Sequence, residues 1–174
     1  MKDLMFLRLN GHHETTEVLV TTTAQPKHLP HQEGKTYQLG RLTLIFKTTA
    51  ADTNSAYTLC EAFEPAGWSA ALHRHSTYDE THIICEGRYA CELAGQRLEL
   101  GPGDMMFVPG GTPHSVKNLG PESGRELIIS SPGGVFEAFI DEAAAAVSPD
   151  GPAKLGAGTD FRAIAAKYGI EFLA

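Results

Sequence analysis

The sequence predicts a mainly β protein, a sandwich or barrel of short strands followed by two short C-terminal helices. Between residues 36 and 131, short segments rich in branched and aromatic residues alternate with turns that contain Gly and Pro. After Pro132 the apolar residues change to a helical spacing. The chain has 174 residues and shows no internal repeat, which suits one domain with a buried core.

The chain divides into three parts in this interpretation. Residues 1–35 form an N-terminal extension, in which residues 18–23 have strand propensity. Residues 36–131 form the β region, with a turn predicted over residues 50–55 and a hairpin signal at Ala94-Gly95. The predicted strands of this region are 36–39, 42–48, 57–63, 69–75, 81–85, 88–93, 96–100, 105–108, 114–118 and 126–130.

Residues 132–174 are predicted to form a helical segment. A first helix over about 135–146 is predicted by four apolar residues on one helical face: Phe136, Phe139, Ile140 and Ala143. A second helix over about 160–168 follows a Pro- and Gly-rich loop and ends at Gly169. We expect both helices to pack on the β region or on a partner subunit.

Charge and composition exclude several classes of function. The net charge of -7 disfavours nucleic acid and anionic membranes as partners, because both require clustered Lys and Arg. Neither a secretory signal nor an apolar run long enough to span a membrane is evident, which predicts a cytoplasmic protein. The three cysteines lack a paired spacing and are expected to be free thiols in a reducing compartment.

Residues 67–118 contain the chemically distinctive part of the chain. His73 and His75 are two residues apart, so on one strand their side chains share a face. Glu80 follows at an odd spacing after a polar, turn-like segment, and we expect it to begin the neighbouring antiparallel strand. His114 arrives later, after a turn stiffened by Pro109 and Pro113.

This arrangement resembles the cupin family, whose two motifs are G-x5-H-x-H-x3,4-E-x6-G and G-x5-P-x-G-x2-H-x3-N. A short segment, residues 88–102, separates the two motifs in this sequence. Every fixed position is filled: Gly67, His73, His75, Glu80 and Gly87, then Gly103, Pro109, Gly111, His114 and Asn118.

The resemblance implies a jelly-roll β-barrel that binds one metal ion through His73, His75, Glu80 and His114. Mixed imidazole and carboxylate ligands suit a divalent Fe, Mn, Ni, Co, Cu or Zn ion, and the sequence leaves the identity of the metal open. A cupin that retains these residues without the metal or the activity is the alternative.

Further side chains are expected inside the barrel. His82 shares the strand face of Glu80 and is a candidate hydrogen-bond partner, substrate contact or proton shuttle. Either the odd or the even residues of 105–108 must line the interior. Trp68 is expected to cover one end, Tyr78 to lie near the mouth, and Asn118 to stabilise a strand end.

The C-terminal sequence also resembles small bacterial cupins grouped with quercetin 2,3-dioxygenase. The first functional hypothesis is therefore a metal-dependent dioxygenase acting on a flavonol-like or other enolisable aromatic, with Glu80 as the base and His82 as its partner. A non-oxidative cyclase, isomerase or lyase and a non-enzymatic binder of small molecules are the alternatives. We also expect a homodimer paired through sheet edges, with residues 1–24 adding to a sheet.

Overall fold

The computed structural model describes residues 5–7, 18–20, 24–146, 154–155 and 159–173. Two six-stranded sheets form its main body. The first sheet contains, in spatial order, β10 (Met105–Val108), β7 (Asp79–Glu86), β12 (Gly124–Ser131), β5 (Thr58–Glu64), β4 (Leu42–Thr48) and β3 (Lys35–Leu39). The second contains β13 (Lys154–Leu155), β6 (Ser69–His75), β11 (His114–Asn118), β8 (Tyr89–Leu93) and β9 (Gln96–Leu100), with β14 (Ile170–Phe172) also paired to β6.

The sheets face one another, because residues of both share a buried cluster. Ile84, Met106 and Val108 of the first sheet pack with Tyr89, Cys91 and Val116 of the second. The mainly β, jelly-roll prediction is confirmed by this arrangement. It also settles which residues of β10 point inward, since Met105 and Phe107 are 59% and 49% exposed.

Two helices follow the strands, as the apolar spacing predicts. They are α2 (Val135–Ala146) and α3 (Thr159–Lys167). The predicted face of α2 is buried, and it shares one cluster with strand residues such as Phe46 and helix residues such as Phe161. The helical segment therefore packs on the sheets of its own chain.

Two local features differ from the sequence-based expectations, and a third tests its expectation only in part. Residues 50–53, within the predicted turn, form a one-turn helix α1 (Ala50–Thr53), because the Asp52 carboxylate accepts a hydrogen bond from Thr49 N at 2.9 Å and caps its first turn. Strand β14 was not predicted, since three residues carry too little pattern. Of the strand-prone residues 18–23, β2 (Val18–Val20) pairs with β1 (Met5–Leu7), and 21–23 lie outside the described residues.

The expectation that Glu80 begins the strand beside β6 is wrong. Strand β6 belongs to the second sheet and β7 to the first, so the turn at residues 76–78 carries the chain from one sheet to the other. Glu80 reaches the histidines across the interior instead of along a hydrogen-bonded ladder. The change of sheet also explains how residues at an odd spacing can both point inward.

The remaining expectations concern the cysteines and the membrane. The thiols of Cys60, Cys85 and Cys91 are free, as expected. Among the helices that the structure describes, none combines the length and the apolar character needed to cross a membrane.

Candidate metal centre

Adjacent strands bring the three motif histidines together. His73 and His75 lie on one face of β6, and His114 at the start of β11 is the direct cross-strand neighbour of His73. The ring centroids of His73 and His114 are 4.2 Å apart, and those of His75 and His114 are 4.9 Å apart. The pairing register therefore gathers three imidazoles at one end of the second sheet.

Backbone carbonyls fix the orientation of each of these imidazoles. Nδ1 of His73 lies 2.8 Å from the carbonyl oxygen of Ala71, and Nδ1 of His75 lies 2.8 Å from that of Tyr78. Nδ1 of His114 lies 3.1 Å from the carbonyl oxygen of Thr112. Because a carbonyl oxygen can only accept, Nδ1 donates in each pair and Nε2 keeps its lone pair. This is the orientation in which a histidine binds a metal through Nε2.

Glu80 closes the cluster from the first sheet. Its Oε2 atom lies 3.3 Å from Nε2 of His75 and 3.3 Å from Nε2 of His114. The second contact lacks hydrogen-bond geometry, so the buried Nε2 of His114 has no hydrogen-bond partner in the described part of the chain. An unpaired buried lone pair beside a carboxylate fits a bound cation, because a cation satisfies both groups.

Two sets of three side chains in this cluster can hold a metal ion. One consists of His73, His75 and His114, and the other of Glu80, His82 and His114; within each set the donor atoms lie within 4.8 Å of one another. All four ligands implied by the family motif are therefore present. His82 joins them as a possible ligand that the motif does not include.

His82 lies between two carboxylates. Its Nε2 atom is 3.0 Å from Oε2 of Glu80, and its Nδ1 atom is 3.0 Å from Oε2 of Glu126. All three side chains are buried. Sequence reasoning missed Glu126, although its inward-facing position in the predicted strand 126–130, in phase with Ile128, was a usable signal.

Burial and neighbouring charges determine the protonation of this cluster. Burial alone would lower the pKa of His82, but the Glu126 and Glu80 carboxylates raise that pKa well above its ordinary value. Burial would likewise raise the pKa of Glu80, yet the His82 charge and the adjacent His114 and His75 hold that pKa well below its usual range. Burial, with His114 nearby, lowers the pKa of His73 to about 3. Glu80 is thus an ionised carboxylate and His82 an imidazolium.

A cavity of about 80 Å³ lies beside the cluster. Its polar lining residues are His73, Glu80, His82, Glu126 and Glu64, which we call the polar wall. The rest of the lining is apolar, and we call it the apolar wall. It comes from residues of the sheets and from six C-terminal residues: Phe136, Phe139, Ile140, Phe161, Ile170 and Phe172. The volume is well below the roughly 300–1,000 Å³ of sites for drug-sized ligands.

Aromatic side chains stack on two of the candidate ligand histidines. Tyr78 stacks on His75 with ring centroids 4.0 Å apart, and it is buried inside the molecule instead of lying at a mouth. Phe172 of β14 stacks on His73 at 5.5 Å. Trp68 is buried and lines the cavity.

Asn118 stabilises the end of β11, as predicted. Its Nδ2 donates to the carbonyl oxygens of Glu64 and Glu122, each at 3.0 Å, and its Oδ1 accepts from Gly120 N at 2.9 Å. This last motif position therefore serves the backbone and contributes no group to the metal cluster.

Comparison with known proteins agrees with this geometry. The family model "Cupin domain" matches residues 60–130. An uncharacterised protein of Methanocaldococcus jannaschii is 38% identical over 63 residues, which are 36% of this chain and 50% of that protein. Quercetin 2,3-dioxygenase of Bacillus subtilis is 28% identical over 92 residues, which are 53% of this chain and 27% of the dioxygenase. The match thus spans at most about half of either relative.

The solved structure of KdgF from Halomonas sp. superposes with a TM-score of 0.56 at 19% identity. The superposition covers 63% of this chain and 96% of that one, and it supports the fold. The matched family model, the jelly-roll sheets and the motif residues gathered between them lead to one conclusion: this chain contains a cupin domain over residues 60–130.

Proposed function

We propose that the protein is a metal-dependent enzyme, a dioxygenase that acts on a small enolisable molecule. His73, His75, Glu80 and His114 are the proposed ligands of one divalent transition metal. The observation that carries the proposal is the chain of close contacts from His114 through Glu80 and His82 to Glu126, beside a cavity. Imidazoles that can bind a metal and the Glu80–His82 acid–base pair thus lie together in one buried cluster.

When bound, the metal supplies Lewis acidity toward an enol oxygen and open coordination positions for substrate and O₂. Glu80 provides the proton acceptor, because its Oε2 lies at the centre of the cluster and the side chain lines the cavity. His82 stabilises that charge through its Nε2 atom, and Glu126 holds the opposite ring nitrogen. Together these groups can take a proton from a substrate that reaches Glu80.

The cavity favours a substrate smaller than a flavonol. A volume of about 80 Å³ holds several water molecules but not a three-ring compound. Its walls are largely apolar, with polar groups on one side. We therefore propose a one-ring or acyclic compound with an enolisable oxygen. The partial match to quercetin 2,3-dioxygenase supports the choice of reaction class, while the cavity argues against quercetin itself.

A second candidate is a non-oxidative enzyme of the cyclase, isomerase or lyase type. It is favoured by the placement of His82 between two carboxylates, since this triad supplies a base and an acid without any need for O₂. Both candidates use the same four ligands, so the requirement for O₂ separates them.

The test is turnover of a panel of small ketones, β-diketones and catechols by the protein loaded in turn with each candidate metal. O₂ uptake is measured with an electrode, and products are measured with and without O₂. A dioxygenase consumes O₂ in step with substrate. Turnover without O₂ would establish the non-oxidative alternative. Full metal occupancy with no turnover of any compound would contradict both and favour a non-enzymatic binder.

A further inference from the structure

Glu64 is a buried carboxyl group at the cavity that the metal motif does not include. It ends β5, is fully buried and lines the cavity together with Glu126. The Tyr89 hydroxyl donates to its Oε2 atom. Its backbone carbonyl oxygen accepts from Asn118 Nδ2 at 3.0 Å. Backbone and side chain are thus both held in place.

Tyr89 is itself rigidly placed. It is fully buried, and its ring lies against the backbone of Gly124 so closely that an added Cβ there would overlap the hydroxyl oxygen. Only glycine can occupy position 124 beside this ring. The hydroxyl that binds Glu64 therefore has a fixed position, which in turn fixes the orientation of the carboxyl group.

The second oxygen of Glu64 is unpaired. Oε1 is buried and has no hydrogen-bond partner among the residues for which the structure gives positions. Burial, followed by the Glu126 carboxylate, raises the pKa of Glu64 well above its ordinary value. This shift favours the protonated form of Glu64. Because Oε2 accepts from Tyr89, the acidic hydrogen belongs on Oε1.

We propose that Glu64 is a substrate-binding residue, whose Oε1–H donates a hydrogen bond to a carbonyl or hydroxyl oxygen of the molecule held in the cavity. An unpaired buried donor is unfavourable, and a ligand oxygen would satisfy it. The substrate then carries two oxygens, one directed to the metal cluster and one to Glu64. This inference rests on the proposed function in taking the cavity as the substrate site.

The test compares two small probes that differ in one atom group. 2-Butanone and 2-methyl-1-butene have nearly the same shape, but only the ketone can accept a hydrogen bond. Binding to the full-length, Zn²⁺-loaded protein is followed by the fluorescence of Trp68, the single tryptophan, which lines the cavity. The ratio of the two dissociation constants is measured for the wild type, Glu64→Leu and Glu64→Gln.

We expect Glu64→Leu to weaken ketone binding relative to the alkene by roughly five- to tenfold, the size of one lost hydrogen bond. Glu64→Gln should keep the wild-type ratio, since its amide still donates. The double variant Glu64→Leu/Tyr89→Phe serves as the control, because it removes the hydroxyl that the leucine would leave unpaired.

An unchanged ratio in Glu64→Leu would overturn the proposal and would mean that the Glu64 proton serves Glu126 alone. A failure of the wild type to bind 2-butanone would overturn it as well. If Glu64→Gln changed the ratio of dissociation constants as much as Glu64→Leu, the proposed role of Glu64 as a neutral hydrogen-bond donor would be wrong. O₂ uptake and metal content test the proposed function separately, because neither depends on the ketone ratio.

Discussion

The two walls of the cavity differ in origin and in kind. The polar wall comes from β-strands of the two sheets and consists of two proposed metal ligands, His73 and Glu80, together with His82, Glu126 and Glu64. The apolar wall consists of aromatic and aliphatic side chains, contributed by the sheets and by α2, α3 and β14. Under the proposed function, the polar wall determines which chemistry the site can perform, and the apolar wall determines which molecules reach it. Substitutions in the two walls should therefore have separable effects.

The largest expected effect is the loss of metal from the polar wall. In His114→Ala we expect metal affinity to fall by at least about 100-fold, because His114 belongs to both groups of potential ligands. The fold should persist, since the strands around His114 keep their ladder. Elemental analysis and thermal unfolding measure the two effects, and His28→Ala, at an exposed position, is the control. Metal retained in His114→Ala would contradict the ligand assignment.

Much of the proposed metal cluster could be predicted from the sequence, because its candidate ligands lie at fixed local spacings. The i and i+2 positions of His73 and His75 determine a shared face on any strand. The sheet that carries Glu80 could not be predicted in this way, since a strand reversal and a crossing between sheets look alike in a short polar segment. Glu64 and Glu126 were missed because single acidic residues in strands usually face solvent.

For the apolar wall, the sequence predicted the two helices but not the surface that they cover. The spacing of residues such as Phe139 reveals a helical face, and the structure confirms the helix. What that face covers depends on contacts between residues distant in sequence, such as the pairing of β14 with β6. Such pairings follow from the packing of the whole molecule, and a three-residue strand gives no local signal for them.

A substitution in the apolar wall should change stability and substrate size but leave the metal in place. Phe161 is buried and packs edge-on against Phe139 with ring centroids 5.6 Å apart. We expect Phe161→Ala to lower the free energy of unfolding by about 3 kcal/mol and to enlarge the cavity, as measured by urea unfolding. Phe161→Leu should lower the free energy of unfolding by less, about 1 kcal/mol. Metal loss in either folded variant would show that the walls are not separable.

Within the polar wall, the ligands and the groups behind them should also behave differently. Glu126→Gln removes one of the two carboxylates that raise the pKa of His82, so that pKa should fall. Nitrogen NMR of the His82 ring in the metal-free protein measures it. Metal should still bind, with affinity reduced by about tenfold or less. An unchanged His82 pKa would mean that Glu126 does not control this imidazole.

The smallest expected effect lies where the two walls meet. Phe172 stacks on His73, so Phe172→Leu should loosen that ring and weaken metal binding by less than about tenfold. The change in stability should be below about 1.5 kcal/mol, because leucine keeps most of the apolar contact. Glu171→Ala, on the same strand but exposed, is the matched control. Equal metal affinity in Phe172→Leu and Glu171→Ala would show that β14 has no role in the metal site.

The most direct test of the account is a crystal structure of the metal-loaded protein with anomalous diffraction collected at the absorption edge of the metal. The account predicts one anomalous peak about 2.0–2.2 Å from Nε2 of His73, His75 and His114 and from a Glu80 carboxylate oxygen. A peak bound by His82 in place of His73, or no peak at this cluster, would contradict it.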